Sequence, residues 1–315
     1  MHSLEPEYRE LNAAGLLEAS AASRAIALER GEIFSVFEEI RLALYAAVAA
    51  IMAGVGLLVK DNLDHIGPLT LSMVLALAAA ACYGIAIRTR LRHETRSIGG
   101  DYLLLLGALL LSADVGYAES QFHWLGSQWS WYLLILAVLH AVAAYALDSR
   151  LVLSVSLTSL AGWFGVEGPM QNLLQANDPL RNSGFNALAC ASTLFIWREL
   201  HRRLLGTLEF KEVLEHFAAN LGFWGALALC SSANTRLVGL VILILLAFAS
   251  VRKGLQNSEE LFVIYGIVYG AIGLCVVEAH ILADKLSAAM LELATVTAAV
   301  IVLWRFRHRM KAAAE

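Results

Sequence analysis

The sequence is short of proline, cysteine and charge. Its four prolines, Pro6, Pro68, Pro169 and Pro179, all lie outside the apolar runs, so no run carries the break that marks many transport sites. Its four cysteines, Cys82, Cys190, Cys230 and Cys275, fall in four different apolar runs without a C-x-x-C. That pattern excludes a disulfide framework or a cysteine zinc site and reads as small buried hydrophobes. Charged residues make up 16% of the chain, against about a quarter in a soluble domain. The net charge of −4 argues against nucleic acid as a partner. There is no G-x-S-x-G, no H-E-x-x-H, no Walker loop and no G-x-G-x-x-G following a strand, hence no catalytic signature.

What the chain has in abundance is apolar surface: 59% of residues are hydrophobic and the mean hydropathy is +0.65. A bilayer is the natural solvent for such a composition. Ten apolar runs stand out: Leu42–Val59, Leu69–Ile87, Tyr102–Ala118, Trp131–Leu147, Leu151–Val166, Gly184–Trp197, Phe217–Ser231, Leu237–Val251, Leu261–Ala283 and Leu286–Trp304. Several are shorter than the ~20 residues of a full crossing, so their ends are expected to extend into the polar flanks, and the sixth and seventh read either as half-spans or as runs with displaced boundaries. The fold expected is all-α, a polytopic transmembrane bundle of about ten spans.

Basic residues orient it. With the N-terminus in the cytoplasm and sides alternating, 19 of the 23 Lys and Arg fall inside, and only Lys60, Arg181, Arg236 and Lys285 fall outside. Cytoplasmic loops carry such an excess, so both termini are expected in the cytoplasm. Trp124, Trp129, Trp131 and Tyr132 gather at the expected outer edge, and Trp197 and Trp304 cap runs at the inner edge. Residues 1–41 read as a cytosolic or interfacial helical leader, 42–304 as the transmembrane domain and 305–315 as a basic tail. In the leader Ile33, Val36, Phe37 and Ile40 share one helix face, with Glu32, Glu38, Glu39 and Arg41 opposite. The leader shows no basic start followed by an apolar core, so the first span serves as its own insertion signal. The outer stretch Glu167 to Ser183 reads as a turn-rich connection or lid. The inner stretch Arg198 to His216 reads as a loop with a short helix, on which Lys211 and Glu215 pair on a solvated face.

Ionisable groups inside a span cost roughly 2.5–3.5 kcal/mol, so each needs a reason. Asp114 in the third run, Glu278 and His280 in the ninth and Glu292 in the tenth all fall in the expected outer half, and Tyr117 follows Asp114 at i+3. Two readings stand. One is a ligand or proton pocket open to the outside. The other is groups that reach the interface or satisfy one another. His140 lies mid-span, roughly a dozen ångströms in depth from His280, too far for both to hold one haem iron, and no cofactor or metal is expected. Gly266, Gly270 and Gly273 line the ninth run with small residues, as Ala218 and Gly222 do the seventh, fitting close helix packing or a dimer seam.

The stretch "LNAAGLLEASAASRAIALERGEIFSVFEEIRLALYAAVAAIMAGVGLLV", then "GDYLLLLGALLLSADVGY" and "WYLLILAVLHAVAAYALDSRLVLSVSLTSLAGWFG", resembles an uncharacterised family of bacterial polytopic membrane proteins, a domain of unknown function, over roughly the first 165 residues. The resemblance implies a bacterial inner-membrane protein and supplies no activity. The expected role is a non-catalytic subunit, scaffold or sensor. The alternative is a small-molecule or proton-coupled transporter with inverted five-helix halves. Expected partners are membrane lipids, and a protein partner or second copy through helix packing or the leader.

Overall fold

The computed structural model describes residues 5–29, 37–62, 67–92, 98–128, 130–166, 178–204, 208–257, 259–282 and 285–314, and among these every regular element is helical. Among the described residues twelve α-helices follow one another: α1 Glu5–Ala13, α2 Ala19–Glu29, α3 Phe37–Asn62, α4 Pro68–Arg92, α5 Ile98–Phe122, α6 Trp131–Ala146, α7 Arg150–Val166, α8 Pro179–Leu204, α9 Leu208–Ser231, α10 Arg236–Asn257, α11 Glu260–Ile281 and α12 Lys285–Ala314. Each apolar run read from the sequence has its own helix, α3 to α12; the fourth run ends one residue past α6, and the ninth passes the end of α11 at Ile281.

Seven of these helices, α3, α4, α5, α9, α10, α11 and α12, are long and apolar enough to cross a membrane. The other three fall short for different reasons. α6 and α7, at 16 and 17 residues, rise about 25 Å, less than the ~30 Å hydrocarbon layer. α8 has 26 residues but many are polar. It packs against α7 and α9, and its Asn186, Cys190, Leu194 and His201 are buried, so its face is chosen by protein neighbours rather than by lipid.

The chain divides into two compact units. In the first, Met1–Ala49 with Ile301–Glu315, α1 packs on α2 across a turn that places Gly15 at φ +70°. Ile33 and Val36 of the expected amphipathic leader face lie outside the described residues, and Phe37 and Ile40 already belong to α3.

The second unit, Ala50–Val300, is a series of antiparallel pairs: α4 with α5, α6 with α7, α8 with α9, and α10 with α11. α7 touches α5, α8 and α9, while α9 also touches α10 and α11. α9 is the hub, with 56% of its apolar window buried, against 6% for the α3 and α12 windows. One apolar core runs through α5, α6, α7, α8 and α9 with Leu104, Leu153, Leu157, Leu194 and Leu214 at its centre. A second joins α9 to α10 through Phe223, Cys230 and Leu243.

Local chemistry explains the ends. Asp178 caps α8: its Oδ1 accepts from the backbone N–H groups of Leu180 and Arg181 at 3.1 and 3.2 Å, and Pro179 at the first helical position needs no partner for a missing N–H. The expected connection ending at Ser183 therefore stops at Asp178, and its first part, residues 167–177, lies outside the described residues. Ser232 donates to the other oxygen of Asp178 at 2.6 Å, and these bonds hold the Asp178 carboxyl below its ordinary range. The expected inner loop Arg198 to His216 is also mostly helix, since α8 runs to Leu204 and α9 starts at Leu208. A reading by apolar runs stops at the first charges; the helices continue because those charges pair with one another.

Candidate functional site

The ends of α8, α9, α10 and α11 meet around one buried carboxylate. Glu215, two turns into α9, is 9% exposed. Arg198 on α8 donates from Nε to Oε1 at 2.6 Å, and its Nη2 reaches the same oxygen. Lys253 on α10 donates to Oε2 at 2.5 Å. Lys211, one turn earlier on α9, stands 3.8 Å from Oε1. Each oxygen thus has its own cation, the condition under which a buried charge is tolerated. The solvated face expected for Glu215 is corrected: the carboxylate turns inward and ties three helices together.

The network spreads from there. Lys253 also approaches Glu259 at 3.3 Å and stands 3.6 Å over the Phe262 ring. A tight corner makes this possible: a Cβ on Gly254 would lie 2.9 Å from the backbone nitrogen of Val263, so α11 turns back directly beside Lys253. Arg198 Nη1 lies 3.4 Å from Glu199. Glu199 takes Nη2 of Arg202 at 2.5 Å and Nε of Arg203 at 3.0 Å, and these two bonds hold its carboxyl down to about 2. Through these contacts five cations and three carboxylates form one connected set.

This set lines the mouth of a groove of about 540 Å³ between α8, α9 and α10. Among the described residues, Arg198, Glu215 and Lys253 are its only charged lining residues. The remainder is apolar apart from Ser192 and Ser250, with small residues such as Ala191, Ala219 and Gly222 making the hollow. Behind it an aromatic column joins α9 to α11: His216 stacks on Phe262 with ring centroids 4.8 Å apart, and Phe223 stacks on Tyr269 at 4.7 Å. Tyr269 donates to Asn220 at 2.8 Å.

The residues singled out in the sequence have other surroundings. Asp114 is buried and accepts from Ser72 on α4 at 2.6 Å. Tyr117 has a buried hydroxyl with no hydrogen-bond partner among the described residues. Glu278 accepts from Thr295 on α12 at 3.0 Å, and its other oxygen is buried without a partner among the described residues. Glu278 and Glu292 both lie within electrostatic reach of Cys275. His280 is exposed, its Nδ1 2.7 Å from the carbonyl of Val276 on its own helix. Thus Glu278 and Glu292 share a neighbourhood, while Asp114 sits on α5, whose neighbours are α4, α6 and α7. His140 is fully buried, 2.8 Å from Ser112 Oγ. Gly266 and Gly273 lie where α11 crosses α10: a Cβ on Gly266 would stand 2.6 Å from Val251 and 2.7 Å from the carbonyl of Ala247, and one on Gly273 would collide with Leu243. Gly270 has more room, its nearest atom 3.9 Å away. Among the described residues no three His, Cys, Asp or Glu side chains gather as a metal site.

The Glu215 cluster was missed because its members stand 17 and 38 positions from Glu215. One signal was present. The candidate crossing of α9 starts at Phe210, so Glu215 lies more than a turn inside it, where an acidic residue needs a partner.

Described residues whose regular elements are all helical, seven of them membrane-length and apolar, are those of a multi-pass membrane protein. Residues 9–153 match a family of predicted membrane proteins, DUF2157. No curated protein and no solved structure matches the chain. The DUF2157 stretch ends early in α7, short of the 165 residues of the resemblance above. It contains Asp114, Tyr117 and His140 and leaves the groove outside it.

Proposed function

We propose that this protein is a non-catalytic sensor or scaffold of the membrane, with its ligand site in the groove between α8, α9 and α10. The observation that supports this reading is Glu215: one carboxylate bonded to Arg198 and Lys253 links the ends of three helices at the groove mouth. Anything that enters the groove disturbs that link, so occupancy passes directly into helix position. In the orientation with both termini in the cytoplasm, the mouth faces the cytoplasm, where a protein partner would read it. The inner membrane of a bacterium is the location this reading takes.

The test uses paired spin labels at Leu200 and Leu255, both exposed on α8 and α10, in protein reconstituted into vesicles. The distance distribution is expected to shift when Glu215→Gln removes the link, and the vesicles are expected to carry no proton or solute flux above protein-free controls. An unchanged distribution, or a flux that Glu215→Gln abolishes, overturns the reading.

A further inference from the structure

We infer that the groove binds one acyl chain of an anionic phospholipid, with the lipid phosphate held at the Arg198–Lys253 end. The inference rests on the groove being the ligand site, as proposed above, and adds which molecule fills it.

Length is the first argument. Along α8 the lining runs from Leu188 to Arg198, a rise of about 15 Å. That is half the ~30 Å hydrocarbon layer. A groove that begins among charges and ends one leaflet deep has the length of one lipid tail and exceeds what a small soluble anion needs. Access is the second. Phe195 and Ile196 line the groove and are 58% and 61% exposed, so its wall on α8 is open sideways, toward lipid rather than toward water. The volume of about 540 Å³ falls within the range of ordinary ligand pockets.

Charge is the third, and it selects the headgroup. The connected set carries five cations against three carboxylates. A guanidinium has five N–H groups. Arg198 commits one from each nitrogen, two to Glu215 and one to Glu199, which leaves two for a phosphate oxygen. Arg202 and Arg203, 56% and 71% exposed, extend the positive rim beyond the mouth. Basic pockets between helices at the cytoplasmic side are where anionic headgroups bind. A choline headgroup brings its own cation into this rim and loses the advantage.

The test is binding to purified protein in detergent, followed by thermal unfolding and native mass spectrometry. Phosphatidylglycerol, phosphatidylcholine with the same chains, and inorganic phosphate are compared. Phosphatidylglycerol is expected to raise the unfolding temperature and leave one retained lipid per protein, binding at least tenfold tighter than phosphatidylcholine, while inorganic phosphate gives no shift. Ala219→Leu, which fills the hollow midway along α9, is expected to melt like the wild type in detergent alone and to lose the lipid tenfold or more. Arg202→Gln with Arg203→Gln, on the exposed rim, is expected to narrow the preference for phosphatidylglycerol. Equal binding of the two lipids overturns the inference, as does phosphate binding on its own, and so does an Ala219→Leu variant that keeps the lipid. These outcomes leave the spin-label test untouched. A flux in vesicles bears on the proposed function and not on which lipid occupies the groove.

Discussion

Lys253 Nζ stands 2.5 Å from Glu215 Oε2 across 38 positions of sequence, and the pair fixes how α10 meets α9. Removing one partner of a buried ion pair leaves the other uncompensated, at a cost on the order of 3 kcal/mol. Glu215→Gln is expected to lower stability by up to that amount, because Arg198 and Lys253 lose the carboxylate between them and keep only the longer contacts to Glu199 at 3.4 Å and Glu259 at 3.3 Å. Lys253→Met costs less, since Arg198 still holds Glu215. The double variant is expected to be more stable than the sum of the single losses predicts. A double-mutant cycle by denaturant unfolding in micelles measures this, and additivity would show that the two side chains act independently.

Glu199 gives the network a pH response. Its carboxyl is held down to about 2 in the folded protein, first by Arg202 and then by Arg203. A depressed folded value stabilises above the ordinary carboxylate range and fades as pH falls toward about 2. The end of α8 is therefore expected to loosen across that acidic window. A spin label at Leu200 reports it as rising mobility, and Glu199→Gln is expected to show that mobility already at neutral pH, with no further response from this site on acidification.

Much of this fold was legible in the sequence, and the limits have physical causes. Membrane-facing helices such as α4, α10 and α12 announce themselves, because lipid demands an apolar surface over the whole crossing. α8 does not, because Asn186 and His201 face protein. The boundaries at Arg198 and His216 fell short because a charge ends an apolar run without ending a helix. The candidate site was harder to see. Asp114 and Glu278 could be picked out as intramembrane acids, but their partners Ser72 and Thr295 lie on other helices and have no special spacing. Glu215 looked like half of an exposed i, i+4 pair with Lys211. Only the arrival of Arg198 and Lys253 from two neighbouring helices shows that it is buried.

Gly266 and Gly270 share one small-xxx-small pattern but face different surroundings. A methyl on Gly266 would press on Val251 and the Ala247 carbonyl, while one on Gly270 finds its nearest neighbour at 3.9 Å. Gly266→Ala is expected to push α11 off α10 and cost roughly 1–3 kcal/mol, as overpacking does. Gly270→Ala is expected to be neutral or mildly stabilising. Thermal unfolding of the two variants side by side decides it, and equal losses would mean that the pattern rather than the contact matters.

Asn186 is 1% exposed, and neither its amide nitrogen nor its oxygen has a hydrogen-bond partner among the described residues. A buried polar group without a partner costs about 1–3 kcal/mol, and replacing it by an apolar group of similar shape removes that cost. Asn186→Leu is therefore expected to hold or raise the unfolding temperature. A clear drop would reveal that the amide is satisfied in the folded protein and serves α8 in place.

The parity of the crossings separates two topologies. Seven crossings, the number of helices that are membrane-length and apolar by themselves, would put the two chain ends on opposite sides. Ten crossings put them on the same side, with α6, α7 and α8 passing through under cover of their neighbours. The distribution of Lys and Arg favours ten. Single cysteines at Ser20 and Arg307, both exposed, are introduced into a chain whose own four cysteines are replaced by serine. Both are expected to resist an impermeant thiol reagent added outside intact cells, while one at Lys60 reacts. Labelling at Ser20 and Arg307 from opposite sides would leave α6, α7 and α8 with an odd number of crossings fewer, and would move the mouth of the groove to the other face.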